Sequence, residues 1–206
     1  AVLFAGTYGQ GNSGNIFLQA DNSISLTRNA AIINGVQSQA VGNGGNITVT
    51  APTLSLTDGG QLLTFVSNAS NNKPAGQGKA GDVFVDVSGD VTISGGKNNG
   101  ARSGIFSSLR SRAKGKGGNI NITAGSLSLT DSTSLTASTF GEGDAGSVFV
   151  QALDSVSVAG NSTIFSNVEW GAKGNGGNVN ISAPTLSLTD GSQLSTSVRD
   201  ASNNQP

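Results

Sequence analysis

The feature that most constrains this chain is internal repetition. Residues 44–64 read GGNITVTAPTLSLTDGGQLLT and residues 176–196 read GGNVNISAPTLSLTDGSQLST. The loop that follows recurs as NASNNKP at 68–74 and DASNNQP at 200–206. Weaker copies fill the interval. A glycine opens each unit (Gly14, Gly45, Gly81, Gly118, Gly146 and Gly177), at steps of 31, 36, 37, 28 and 31 residues. Such a period signals stacked repeats, each too small to close a core alone. A glycine at a fixed place predicts either a positive φ or a backbone approach too close for a Cβ.

Each unit carries three strand patterns. In the second unit Ile47 and Val49 alternate with Thr48 and Thr50, and a break follows at Ala51-Pro52. Leu54 and Leu56 then alternate with Ser55 and Thr57, Asp58-Gly59-Gly60 turns the chain, and Leu62, Thr64 and Val66 end on the inward side. Period-two alternation separates an inner from an outer face. Aligned, the units predict four inward columns. They are Ile16, Ile47, Val83, Ile120, Val148, Val179; Leu26, Leu56, Ile93, Leu129, Val158, Leu188; Ile32, Leu62, Ile105, Leu135, Ile164, Leu194; and Val36, Val66, Leu109, Thr139, Val168, Val198. The prediction is an all-β fold: a right-handed parallel β-helix, or solenoid, of about six rungs with three strands each, spanning 1–206 as one segment. Insertions fall at one corner, with 67–80 the longest, and near 94–103.

Composition narrows function. The chain has no Cys, Met or His, only 11% charged residues and a formal net charge of -1. Disulfides, thiolate metal sites and a nucleophile–His pair are therefore excluded. No apolar run approaches the roughly 18 residues of a membrane span. No signal-type segment opens these residues, so an exported protein would carry its targeting segment elsewhere.

The motifs GGNITVTAPTLSLTDGGQL, GGNINITAGSLSLTDSTSL and GGNVNISAPTLSLTDGSQL resemble the repeat region of filamentous haemagglutinin-like exoproteins, particularly the cyanobacterial type. The resemblance covers essentially the whole chain. It implies two-partner secretion and an extracellular or outer-surface fibre; the family's N-terminal secretion domain, with its NPNG-type motifs, is not in this sequence.

The outer positions hold the candidate sites. Asp82, Asp86 and Asp90 fall on different parts of the rung, so they form no paired-carboxylate site of the kind glycan-cleaving enzymes need. Asp58, Asp131 and Asp190 sit on alternate rungs, and Arg28 is placed to pair with Asp58. Asn15, Asn46, Asp82, Asn119, Ser147 and Asn178 form a column in which stacked amides predict a hydrogen-bond ladder. Lys97, Arg102, Arg110, Arg112, Lys114 and Lys116 are six of the eleven basic residues, in a stretch free of acids. They form a candidate patch for an anionic polysaccharide. Phe17, Phe84 and Phe149 face outward on alternate rungs of the first strand, and Phe4, Ile33, Leu63, Phe106 and Phe165 on the third. Either folded-back loops cover them or they form a lateral contact stripe for a neighbouring fibre or partner. Trp170 and Tyr8 each stand alone.

The expected function is a non-enzymatic structural or adhesive stalk of a secreted surface or matrix protein. The alternatives are a subunit of an assembled extracellular fibre or sheath, and a polysaccharide-binding or -degrading β-helix. No cofactor, metal, nucleic acid or membrane insertion is expected. The expected partners are copies of the chain, end to end or laterally, and surface or matrix polysaccharide. The chain starts inside a third strand and stops in a loop matching 68–74, so either further rungs beyond both ends or neighbouring copies stacked on them are expected.

Overall fold

The computed structural model describes residues 1–70, 72–95 and 101–199; Lys97 lies outside them. Among the described residues every regular element is a β-strand. The strand pairings among the described residues are all parallel, and an antiparallel bridge joins Ser70 to Lys73 within a loop.

The third strands of the units form one seven-stranded sheet, ordered along the chain. They are Val2–Thr7, Ala31–Val36, Gln61–Val66, Gly104–Leu109, Ser134–Thr136, Thr163–Phe165 and Gln193–Ser195. First and second strands share another sheet. The first strands are Ile16–Gln19, Ile47–Ala51, Val83–Val87 and Val179–Ser182. The second strands are Ser23–Leu26, Thr53–Thr57, Asp90–Ser94 and Thr185–Leu188. Ile120–Leu129 and Val148–Val158 each run through both positions, so these two units depart from the expected three separate strands. The difference lies at the corner. Pro52 and Pro184 have no N–H to give, and the strand breaks there. Gly125 keeps its N–H, which donates to the Gly89 carbonyl at 2.6 Å, and the strand continues through a register shift.

All four inward columns pair in the predicted register, Ile16↔Ile47↔Val83↔Ile120↔Val148↔Val179 among them. Burial follows in the central units, where Leu56, Leu129, Leu62 and Ile105 are fully buried. The expectation that every member is buried fails in the outermost units. Leu188 is 46% and Val198 65% exposed, and Leu26, Val179 and Leu194 are half-buried. Each of these stacks on one neighbour only, and the second neighbour is what closes a central side chain off from water.

The core is divided. Val36, Val66 and Leu109 form a small cluster with Ala40, Ala80 and Ala113, apart from the main one. Between the clusters runs a seam of inward polar residues on the third strand. Asn34 Nδ2 donates to the Gly14 carbonyl (2.7 Å), and Thr64 and Ser107 hydroxyls donate to the Gly81 carbonyl (2.6 and 3.0 Å). Gly118 N–H donates to Ser107 Oγ at 3.0 Å. A buried hydroxyl or amide is tolerated only with such a partner. The seam therefore ties the third strand to the unit glycines.

Those glycines are crowded and do not need a positive φ. A Cβ on Gly45, Gly81, Gly118, Gly146 or Gly177 would collide with the carbonyl of the glycine one unit earlier. Positive φ belongs to the glycine three residues before each: Gly11, Gly42, Gly78, Gly115, Gly143 and Gly174, at φ 124 to 154°.

Candidate functional site

The column after the unit glycine forms a ladder of a different kind from the expected amide stack. Asn15 Oδ1 accepts from Asn46 N–H (2.8 Å), Asn46 Oδ1 from Asp82 N–H (2.9 Å), and Asp82 Oδ1 from Asn119 N–H (2.7 Å). Asn119 Oδ1 then accepts from Ser147 N–H (2.8 Å), and Ser147 Oγ from Asn178 N–H (3.0 Å). Each step uses one side-chain oxygen and one backbone donor, so Asp and Ser substitute for Asn without breaking it. A second ladder, three residues earlier, was missed in the sequence: Asn12 accepts from Asn43 N–H, Asn43 from Lys79 N–H, and Asp144 from Asn175 N–H. Both ladders hold backbone of successive units together. The Asn175 N–H, with the Asn175 side chain and the nearby charge of Lys116, holds the Asp144 carboxyl below its ordinary value.

The recurring Asp of the corner turn has a conformational cause. Asp58, Asp131 and Asp190 have φ of 48, 60 and 51°, and Arg28 has 54°. Asp and Asn tolerate this left-handed region better than most residues, because their short polar side chains bond locally. The expected Arg28–Asp58 pair is not formed; ion pairs among the described residues are Lys79–Asp82, Lys114–Glu142 and Arg199–Glu169.

The structure separates the basic stretch. Arg102 precedes the third strand Gly104–Leu109, while Arg110, Arg112, Lys114 and Lys116 follow it, roughly 20 Å away along a six-residue strand. Arg110 lies 4.0 Å over the Phe65 ring, and burial pushes its guanidinium below its ordinary value, though it stays protonated at neutral pH. Phe65 itself lies flat across Gly35, where a Cβ would meet the ring at 2.7 Å. Lys114 is paired with Glu142 at 3.3 Å. Lys116 stands opposite Lys79, which bonds Asp82 at 2.8 Å. The window that is free of acids along the chain thus has acids beside it on the neighbouring units. Arg102, Arg110, Arg112 and Lys116 have no ion-pair partner among the described residues. Of these, Arg110 is seated on Phe65 and Arg102 lies at the far end of the strand, which leaves Arg112 and Lys116 as the adjacent free cations.

The two apolar stripes differ. On the third strand Ile33, Leu63, Phe106 and Phe165 are half-buried, and a hollow of about 270 Å³ lies between Leu63, Phe106, Arg110 and Phe140. On the first strand the stripe stays exposed: Phe17 is 74%, Phe84 38% and Phe149 37% exposed. Register places them in one column with Thr48 and Asn121 between and Asn180 beyond Phe149. Beside it runs the column Gln19, Thr50, Asp86, Thr123, Gln151, Ser182 on the same outer face. Two shallow troughs follow that column, one of about 350 Å³ at Gln19, Thr50 and Asp86, and one of about 580 Å³ at Thr123, Gln151 and Ser182. Sequence reading missed this groove, since its residues are ordinary polar ones and only their alignment across units makes a line. Trp170 and Tyr8 are exposed, Tyr8 with its ring 6.0 Å from that of Phe4.

The second-strand face is a further regular surface. Its outward columns are Ser23, Thr53, Asp90, Ser126, Ser155, Thr185; Ser25, Ser55, Thr92, Ser128, Ser157, Ser187; and Thr27, Thr57, Ser94, Thr130, Ala159, Thr189, hydroxyls throughout except Asp90 and Ala159. Among the described residues no three of His, Cys, Asp or Glu come together to hold a metal ion. Compared with family models, with curated proteins and with solved structures, the chain matches none.

Proposed function

We propose that the chain is a right-handed parallel β-helix, about six rungs of three strand positions, serving as a structural and adhesive stalk in a secreted surface or matrix protein of the filamentous haemagglutinin-like kind. One observation carries this reading. Equivalent strands of successive units pair in parallel and in register across the full described length. Unit-by-unit parallel pairing needs a crossover within every unit, and such crossovers are right-handed in nearly all proteins. A core continuous from unit to unit, with backbone ladders along it, favours stiffness over a moving active site. The outward-facing polar and aromatic columns favour an adhesive role outside the cell, and the motif resemblance favours the same setting. Neither nucleic acid nor a cofactor is part of the proposal.

Immunogold labelling of intact cells that make the protein tests the reading. Antibody to the chain is expected to decorate surface or released fibres without permeabilisation. Labelling only inside permeabilised cells would overturn it.

A further inference from the structure

We infer that the outer face of the first strands binds an extended, uncharged polysaccharide running across the strands, with its sugar rings stacked on Phe17, Phe84 and Phe149. The phenyl rings recur at every second strand, about 9.6 Å apart. A β-1,4-linked glycan in its extended form turns over at each residue, so the same ring face returns once per disaccharide, at nearly that spacing. Pyranose rings present axial C–H groups on their faces and hydroxyls at their edges. The C–H faces suit the electron-rich face of an aromatic ring. The hydroxyls suit amides and alcohols, which alternate with the Phe residues in the column (Thr48, Asn121, Asn180) and line the adjoining troughs. Among the described residues none of the side chains of Asn121, Asn180, Gln19, Thr50, Thr123 or Gln151 bonds to another protein group, whereas in the ladder column Asn15, Asn46, Asp82, Asn119 and Ser147 each use a side-chain oxygen to accept a backbone N–H.

Charge complementarity selects the class of glycan. The Phe column and the groove column beside it carry one carboxylate, Asp86, and no Lys or Arg. An acidic polymer would gain nothing here and belongs, if anywhere, at Arg112 and Lys116. A protein partner fits less well, because the rings are separated by Thr and Asn and make no contiguous apolar patch of the kind that forms an interface core. The two troughs also lie along one column of residues that crosses the units, which suits a polymer.

The proposal deepens the adhesive reading above and rests on it for its setting. The shape and location of the stalk are tested by labelling, so the two fail independently. The experiment is co-sedimentation of the full chain with microcrystalline cellulose and with chitin, plus gel retardation by soluble hydroxyethyl cellulose. Retention by at least one of these is expected, unchanged in high salt. Phe84→Ala with Phe149→Ala is expected to weaken it roughly tenfold. The paired Phe84→Tyr, Phe149→Tyr variant, which keeps the rings, is expected to retain binding, and both variants should melt like the parent. Absence of retention on all three glycans, equal retention by the alanine variant, or binding abolished by salt and by Arg112→Gln with Lys116→Gln would each overturn the proposal.

Discussion

Replacing Gly118 by alanine tests the crowding that defines the unit. Gly118 has an ordinary φ, so a Cβ costs nothing in backbone conformation. It would instead fall against the Gly81 carbonyl, with the Ala80 carbonyl oxygen at 2.7 Å. All of these atoms are backbone, and relief requires two paired strands to part. Parting them loosens the bonds from Gly118 N–H to Ser107 Oγ (3.0 Å) and from Asn119 N–H to Asp82 Oδ1 (2.7 Å). Overpacking costs about 1–3 kcal/mol and each lost bond about 1 kcal/mol, which brings the total to about 3–5 kcal/mol. For a chain of this size that is a fall in Tm of roughly 10 °C. Gly14 belongs to the same column, but nothing lies within 4 Å of where its Cβ would be. Gly14→Ala in this 206-residue chain is expected to shift Tm by no more than about 2 °C. Thermal melts followed by far-UV circular dichroism compare the two. Equal shifts, or a Gly118→Ala melt within about 2 °C of the parent, would refute the crowding argument.

Further perturbations separate the other columns. Leu129→Asp puts an unpaired charge among Ile93 and Val158 and is expected to cost about 3 kcal/mol or more in chemical denaturation, while Ser128→Asp on the outer face stays within about 0.5 kcal/mol; similar midpoints would invert the inside/outside assignment. Asn119→Asp keeps the oxygen that Ser147 N–H needs and should be near neutral, whereas Asn119→Ala should cost about 1 kcal/mol; if both cost the same, the ladder is not what the column is for. Because the folded Asp144 carboxyl is held below its ordinary value, its contribution is present above the unfolded-state value of about 3.9 and is lost as pH falls through the lower folded one. Acidification should therefore lower the Tm of the parent more than that of Asp144→Asn, and identical acid limbs would exclude this role. Binding to an acidic polysaccharide, where measured, should fall with salt and with neutralisation of Arg110, Arg112, Lys114 and Lys116. Arg112 and Lys116 should carry most of the loss, because Arg110 lies on Phe65 and Lys114 is paired with Glu142.

Strand register was legible in the sequence because it depends on one local property. Alternation with period two assigns each residue a face, and the unit glycine sets the phase, so Leu56, Ile93 and Leu129 align from the sequence alone. What was not legible depends on contacts between residues some thirty positions apart. The side-chain oxygen of Asn46 meets a backbone N–H of the next unit, which a list of stacked amides does not reveal. Lys114, in a stretch that reads as uniformly basic, finds Glu142 twenty-eight positions on. Thr64 and Ser107 read as gaps in a hydrophobic pattern, yet they bond the crowded glycines and divide the core. The troughs at Gln19, Thr50 and Asp86 and at Thr123, Gln151 and Ser182 contain no unusual residue at all; only their alignment in one column across units is unusual.

Those distinctions bear on why phenylalanine stands on an outer face. A column that touches backbone is narrowly restricted: the unit glycines by a carbonyl, the ladder by the need for an acceptor, the corner turn by its left-handed φ. The outward column of the first strand has no such restriction. Thr48, Asn121 and Asn180 occupy it with the same register and the same pairing as Phe17, Phe84 and Phe149. Threonine also suits a strand as well as phenylalanine does. Folding therefore does not demand an aromatic ring there, and an exposed ring adds a hydrophobic surface that water disfavours. The advantage of the ring has to come from something that covers it. Rings confined to alternate strands, with hydrogen-bonding side chains between, specify that covering partner by its spacing as well as by its chemistry.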